Sequence, residues 1–108
     1  MRIVFDLDGT LCYTPPKPDG GWEYEKAEPF TNRIEMVNDL FDNGDYIIID
    51  TARGSWSGND WTEKTKLQVE SWGLKFHELR AGKKIYADLF VDDRAVNSEQ
   101  YFKDTREL

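Results

Sequence analysis

Two aspartates spaced i, i+2, Asp6 and Asp8, follow a short apolar run, Ile3 to Phe5, and precede Gly9-Thr10-Leu11. Successive residues of a strand point to opposite faces, so residues i and i+2 share a side. Both carboxylates therefore converge on one ligand if the extended geometry persists past Phe5. Adjacent carboxylates repel unless a cation or a shared proton relieves them, and the pair is a first indication of a metal site. Polar clusters close two further apolar runs. Thr51-Ala52-Arg53-Gly54 comes after Tyr46 to Ile49, and Asp92-Asp93-Arg94 comes after Ala87 to Val91. Lys83 and Lys84 lie in a turn ahead of the last run.

Strands alternating with helices would bring these clusters together. Pro29 opens a helix, where a missing N–H is harmless. Ile34, Val37, Leu40 and Phe41 recur at helical spacing, and Gly44 supplies the stop. Tyr46 to Ile49 is a continuous β-branched run, suited to a central parallel strand buried on both faces. Asp60, with Glu63 three residues on, reads as a capping box for a helix reaching Trp72, with Leu67 and Trp72 in the core and Gly73 ending it. Leu74 to Leu79 reads as a short strand, Gly82 to Lys84 as a turn, Ala87 to Val91 as a further strand. Ala95 to Phe102 is the last helix, followed by a frayed Lys103 to Leu108. The alternation predicts right-handed crossovers and an α/β fold, a doubly wound parallel sheet with helices on both faces. Ligands in such sheets bind beyond the carboxyl ends of the strands, where Asp6/Asp8, Thr51/Arg53 and Asp92/Asp93 would meet, with Lys83 arriving from the turn.

The stretch from Cys12 to Glu28, with Pro15, Pro16, Pro18, Gly20 and Gly21, is a loop or short hairpin anchored by Trp22 and Tyr24. It is either a flap over the site or an ordinary surface excursion. With 108 residues the chain is expected to form one domain, 1–108. A net charge of −7 without a basic block disfavours nucleic-acid binding through phosphate neutralisation. The single cysteine, Cys12, excludes an intrachain disulfide. No apolar run matches a signal-peptide core or a membrane span, and the default expectation is a cytoplasmic protein without a membrane partner.

The ordered set resembles the haloacid dehalogenase-like phosphatase superfamily. Its first motif, Asp-x-Asp-Gly-Thr-Leu, stands here as Asp6-Leu7-Asp8-Gly9-Thr10-Leu11. Its second, a Thr or Ser ending an apolar strand, matches Thr51. The third, a lysine, matches Lys83, with Lys84 as the rival, and the fourth, an acidic pair, matches Asp92-Asp93. Thr51-Ala52-Arg53-Gly54 and Gly82-Lys83 through Asp92-Asp93-Arg94-Ala95 further resemble small phosphatases of capsule and surface-polysaccharide synthesis. Lys84 here replaces the proline usual in that group.

The resemblance implies a capless, Mg²⁺-dependent phosphatase acting through an aspartyl-phosphate. Asp6 is then nucleophile and metal ligand, the Asp8 carbonyl and Asp92 further ligands, and Asp93 lies in or near the metal's outer shell. Asp8 is the general acid and base, Thr51 and Lys83 hold the phosphoryl oxygens, and Ala52 and Arg53 belong to the substrate-binding strand end. A small phosphorylated sugar or related metabolite is the implied substrate; a nucleotide, a nucleic-acid end or a phosphoprotein is the alternative. Outside catalysis, the fold could serve a binding or regulatory module, though a pure binder has no need of the full set. A homo-oligomer that borrows cover from another subunit is compatible with a capless site. Each residue also has a plainer reading. Asp-Gly is common in turns, Arg53 binds a second anionic group or forms a surface salt bridge, and Trp56 and Trp61 stack on a sugar or base or simply fill the core. Cys12 is a small buried hydrophobe, and His77 lacks partners for a metal cluster.

Overall fold

The computed structural model describes residues 1–103 of the chain. It is a mixed α/β structure built on a three-stranded parallel sheet. Strand β1 (Arg2–Phe5) is followed by a two-residue antiparallel ladder of β2 (Cys12–Tyr13) with β3 (Glu28–Pro29). Helix α1 (Thr31–Asp42), β4 (Tyr46–Thr51), α2 (Thr62–Ser71), β5 (Glu78–Ala81) and α3 (Ser98–Lys103) complete the order. The sheet runs β1-β4-β5, with Ile3 opposite Ile47 on one side of β4 and Ile49 opposite Leu79 on the other.

β4 lies at the centre for the reason its composition gives. Ile47, Ile48 and Ile49 are consecutive and all buried, which requires cover on both faces of a pleated strand. From α1, Ile34 and Val37 pack into the core, and α2 contributes Val69. Phe102 of α3 stacks on Phe5 at 6.2 Å between ring centroids, so the last described helix closes over the end of β1. His77 is structural, as its isolation suggests: Nδ1 accepts from the Ile47 amide at 3.0 Å, and the ring stacks on Phe41 and Tyr46, each at 4.4 Å.

Several expected boundaries move. Pro29 pairs with Cys12 in the β2–β3 ladder instead of opening a helix, and α1 begins at Thr31. At α2 there is no capping box: Asp60 Oδ1 accepts from the Thr62 amide at 2.9 Å, and the helix starts one residue past Trp61. Leu67 is exposed, while Thr65 and Val69 are buried, because the leucine lies two positions from each and so points to the opposite face of α2. The strand expected over Leu74 to Leu79 lies at Glu78–Ala81. Ala87 to Val91 forms no strand. A strand needs a ladder partner as well as propensity, and no described residue pairs with this run, which is exposed throughout. The frayed end expected from Lys103 onward falls, beyond Lys103 itself, outside the described residues. No helix among the described residues is long and apolar enough to cross a membrane.

Candidate active site

The end of β1 sets the first two side chains. Phe5 and Leu7 are buried, whereas Asp6 and Asp8 alternate with them and line one cleft. The alternation of sides therefore continues past Phe5, although β1 itself ends there. The chain then turns: Thr10 and Leu11 amides both donate to the Leu7 carbonyl, at 3.0 and 2.8 Å, and Gly9 adopts φ +82°, a left-handed conformation natural to glycine. Arg33 of α1, itself buried, donates to the Thr10 carbonyl at 3.0 Å and pairs with Glu99 of α3 at 3.0 Å. Two helices thus brace the turn that carries the aspartates.

Each carboxylate has its own cation. Lys84 Nζ lies 2.9 Å from Asp6 Oδ1, and the Thr10 hydroxyl donates to Asp6 Oδ2 at 3.2 Å. Arg53 meets Asp8 with two nitrogens, Nη2 to Oδ1 at 2.8 Å and Nε to Oδ2 at 3.0 Å, while the Thr14 hydroxyl donates to Oδ1. Arg53 is almost fully buried. Its Nη1 donates to Gln68 Oε1 at 2.7 Å and to Thr65 Oγ1 at 3.3 Å, and its guanidinium lies over the Tyr24 ring at 4.8 Å. Thr51, also buried, ends β4 beside them and accepts from the Arg53 amide at 3.2 Å. Burial raises the Cys12 thiol from 9.0 to about 11. The cysteine is the small buried group its composition suggests, placed under Asp8 with Sγ 3.6 Å from Oδ1.

Above these groups lies a cleft of about 450 Å³, within the range of small-molecule sites. Its walls come from Tyr13, Trp22 and Tyr24 of the 12–28 segment and from Tyr86 and Phe90 of the segment after β5, and Ala52 also lines it. The 12–28 segment is thus part of the site: it carries Thr14 onto Asp8 and Tyr24 under Arg53. Trp22 is half exposed and bridges to Pro16, whereas Tyr24 is the anchor, packed edge-on against Trp61 at 5.0 Å. Trp56 is exposed and lies near Tyr86, 6.0 Å between centroids.

Of the residues expected at the site, Asp6, Asp8, Thr51, Ala52 and Arg53 line the cleft together. Lys83 does not. Gly82 donates to the Thr51 carbonyl at 3.2 Å with φ +81°, and beyond that turn Lys83 is exposed while Lys84 reaches Asp6. The Lys84 carbonyl is held there by the Ser55 hydroxyl at 2.7 Å. Asp92 and Asp93 are also elsewhere: both are exposed and outside the cleft lining, and Asp92 Oδ1 accepts from the Arg94 amide at 2.8 Å. They follow the run that forms no strand, so nothing delivers them to the β1 end. Arg53 spends its donors on Asp8, Thr65 and Gln68, in a buried ion pair and not the surface salt bridge of the plainer reading. Thr14, Thr65 and Gln68 were not anticipated. The i, i+3 spacing of Thr65 and Gln68 on α2 places both on one helix face, a pattern that could have drawn notice.

Asp6 and Asp8 line the cleft where the resemblance places Mg²⁺. The ion takes hard oxygen ligands in a near-octahedral shell, but Asp6 and Asp8 are already engaged by Lys84, Thr10, Arg53 and Thr14. Among the described residues no three His, Cys, Asp or Glu side chains cluster to hold a metal.

Comparison with known proteins bears on the fold. No family model matches the chain, and no curated protein matches it. A crystal structure of a Vibrio cholerae target protein superposes with a TM-score of 0.71 at 24% identity, over 93% of this chain and 85% of that one. The likeness extends over nearly the whole chain and is one of fold alone.

Proposed function

We propose that this chain is a phosphoric monoester hydrolase working through an aspartyl-phosphate on Asp6. One observation carries the reading: two carboxylates at the end of β1 face one cleft, with a lysine on the first and an arginine on the second. Phosphate monoesters hydrolyse extremely slowly without catalysis, partly because an anionic nucleophile meets an anionic ester. Lys84 offsets that repulsion beside the attacking oxygen. Asp6 forms a bond to phosphorus as the bond from phosphorus to the ester oxygen breaks, and the leaving oxygen takes a proton from Asp8. Water, losing its proton to Asp8, then attacks the phosphorus and releases inorganic phosphate from Asp6. Thr51 offers its hydroxyl to the phosphoryl oxygens.

The substrate is a small phosphorylated sugar or related metabolite. In support, Tyr13, Trp22, Tyr86 and Phe90 are exposed around the carboxylates, and aromatic faces of this kind cover the apolar side of a ring.

A doubly wound sheet of the haloacid dehalogenase-like type would require residues 87–91, unpaired here, to lie along the second edge of β1. Among the described residues that edge has no partner, Val4 on it is 58% exposed, and Leu89 and Val91 are 77% and 91% exposed. Such apolar surface on both sides of a missing ladder favours pairing. Asp92 and Asp93 would then come to the end of β1 beside Asp6 and complete a Mg²⁺ site with it. Mg²⁺ held there would supply Lewis-acid charge to the phosphoryl oxygens.

Hydrolysis of p-nitrophenyl phosphate with Mg²⁺ tests the reading. Wild type turns over, Asp6→Asn does not, and EDTA abolishes activity. Undiminished turnover by Asp6→Asn would sink the mechanism, and indifference to EDTA would remove the metal from it. A panel of sugar phosphates and mononucleotides under the same conditions separates the substrate classes.

A further inference from the structure

Arg53 and its surroundings are more elaborate than binding a substrate anion requires. A guanidinium has five N–H donors, and those on Nε and Nη1, with one on Nη2, are directed at protein acceptors: Asp8, Thr65 and Gln68. Its face is covered by Tyr24. Gln68 does two things at once: Oε1 accepts from Arg53 at 2.7 Å, and Nε2 donates to the Tyr24 carbonyl at 2.8 Å. One amide from α2 thus fixes the guanidinium edge and the aromatic turn that covers its face. From the other side Thr14, buried, donates to the same Asp8 oxygen that Arg53 Nη2 contacts.

We infer that Gln68, Arg53 and Thr14 form a positioning set for the Asp8 carboxylate, so that Arg53 acts through Asp8 and recognises no second anionic group of the substrate. The inference rests on the phosphatase reading, in which Asp8 carries the proton to and from the reacting oxygens. A carboxylate free to rotate would offer that proton in many directions, and a small displacement of a reacting group lowers rate steeply. Bidentate Arg–carboxylate pairs fix the carboxylate plane as well as its position. The far side of the arginine is fixed in turn by Gln68 and Thr65. The cleft is then built for a single phosphoryl group on an uncharged body, because Lys84 is the basic side chain left facing it apart from Arg53.

The test compares an alkyl phosphate, whose leaving oxygen needs a proton, with p-nitrophenyl phosphate, whose aryl oxide leaves without one. Gln68→Met keeps side-chain length and removes both hydrogen bonds. Arg53→Lys keeps charge and loses the bidentate geometry. Circular dichroism confirms that each variant folds, and Gln68, on a half-buried helix face, serves if the arginine variant does not fold. Each is measured alone and combined with Asp8→Asn. Both variants should lower kcat for the alkyl ester about ten- to a hundred-fold with KM within about two-fold. The loss on the aryl ester should be several times smaller, and neither variant should lower activity further when Asp8 is already Asn.

A raised KM at unchanged kcat, an equal loss on both esters, or a full additional loss in the Asp8→Asn background overturns the inference. Asp6→Asn separates the two levels. If it abolishes turnover while Gln68→Met changes nothing, only the positioning set is wrong; if it leaves turnover intact, the phosphatase reading itself fails.

Discussion

Replacing Lys84 by Met, and Lys83 by Met as its partner experiment, asks which turn lysine serves the reaction. In the structure Lys84 Nζ sits 2.9 Å from Asp6 Oδ1, while Lys83 is exposed. The side chains of Lys84 and Asp6 are 23% and 38% exposed, so solvent screens the ground-state pair, and its contribution to stability falls to about 1 kcal/mol or less. The kinetic effect is larger, because charge develops where water is displaced by substrate. Removing one preorganised electrostatic partner of a transition state costs about 10²–10³ in kcat, or roughly 3–4 kcal/mol. Lys84→Met should therefore lower kcat on p-nitrophenyl phosphate by about that factor while Tm moves by only a few degrees at most. Lys83→Met should stay within about two-fold, as a surface change away from the chemistry does. The assay is steady-state release of p-nitrophenol, with thermal unfolding on the same samples. Loss of activity in Lys83→Met with Lys84→Met spared would refute the reasoning from proximity.

Other predictions follow from local geometry. Gly54 has φ +88°, and a Cβ there would run into the Asn59 carbonyl oxygen, so Gly54→Ala should destabilise by more than about 1 kcal/mol in a denaturant titration; an unchanged midpoint would contradict this. Ile49 is fully buried in the central strand, and Ile49→Ala should cost about 2–5 kcal/mol by the same measurement. Cys12 is fully buried, with its thiol raised to about 11, so at mildly alkaline pH a disulfide reagent should modify it far faster in denaturant than in the native protein. Equal rates in the two states would mean the residue is not enclosed as described.

Strand β4 was legible because Tyr46 to Ile49 needs cover on both faces, and only the central position of a sheet offers it. The convergence of Asp6 and Asp8 was legible because a period of two is a property of the strand itself. The run Ala87 to Val91 has the same apolar look as β4, yet it forms no ladder, and propensity says nothing about whether a partner edge is met. Asp92 and Asp93 go with it, since their position depends wholly on the preceding run. The exchange of Lys83 for Lys84 turned on the rotation of the chain after Gly82, which residue types do not encode. Gln68 was less legible for another reason: its one sign, the i, i+3 spacing from Thr65, says nothing of the buried arginine beneath that helix face.

The central claim is that Asp6 becomes covalently phosphorylated. The direct measurement is acid quenching of the enzyme during turnover, followed by mass spectrometry of the peptide containing Asp6. The account predicts an added phosphoryl group on Asp6, removed by hydroxylamine as an acyl phosphate is and missing in Asp6→Asn. An enzyme that turns over its ester with Asp6 unmodified, or with the phosphoryl group on another residue, would contradict it.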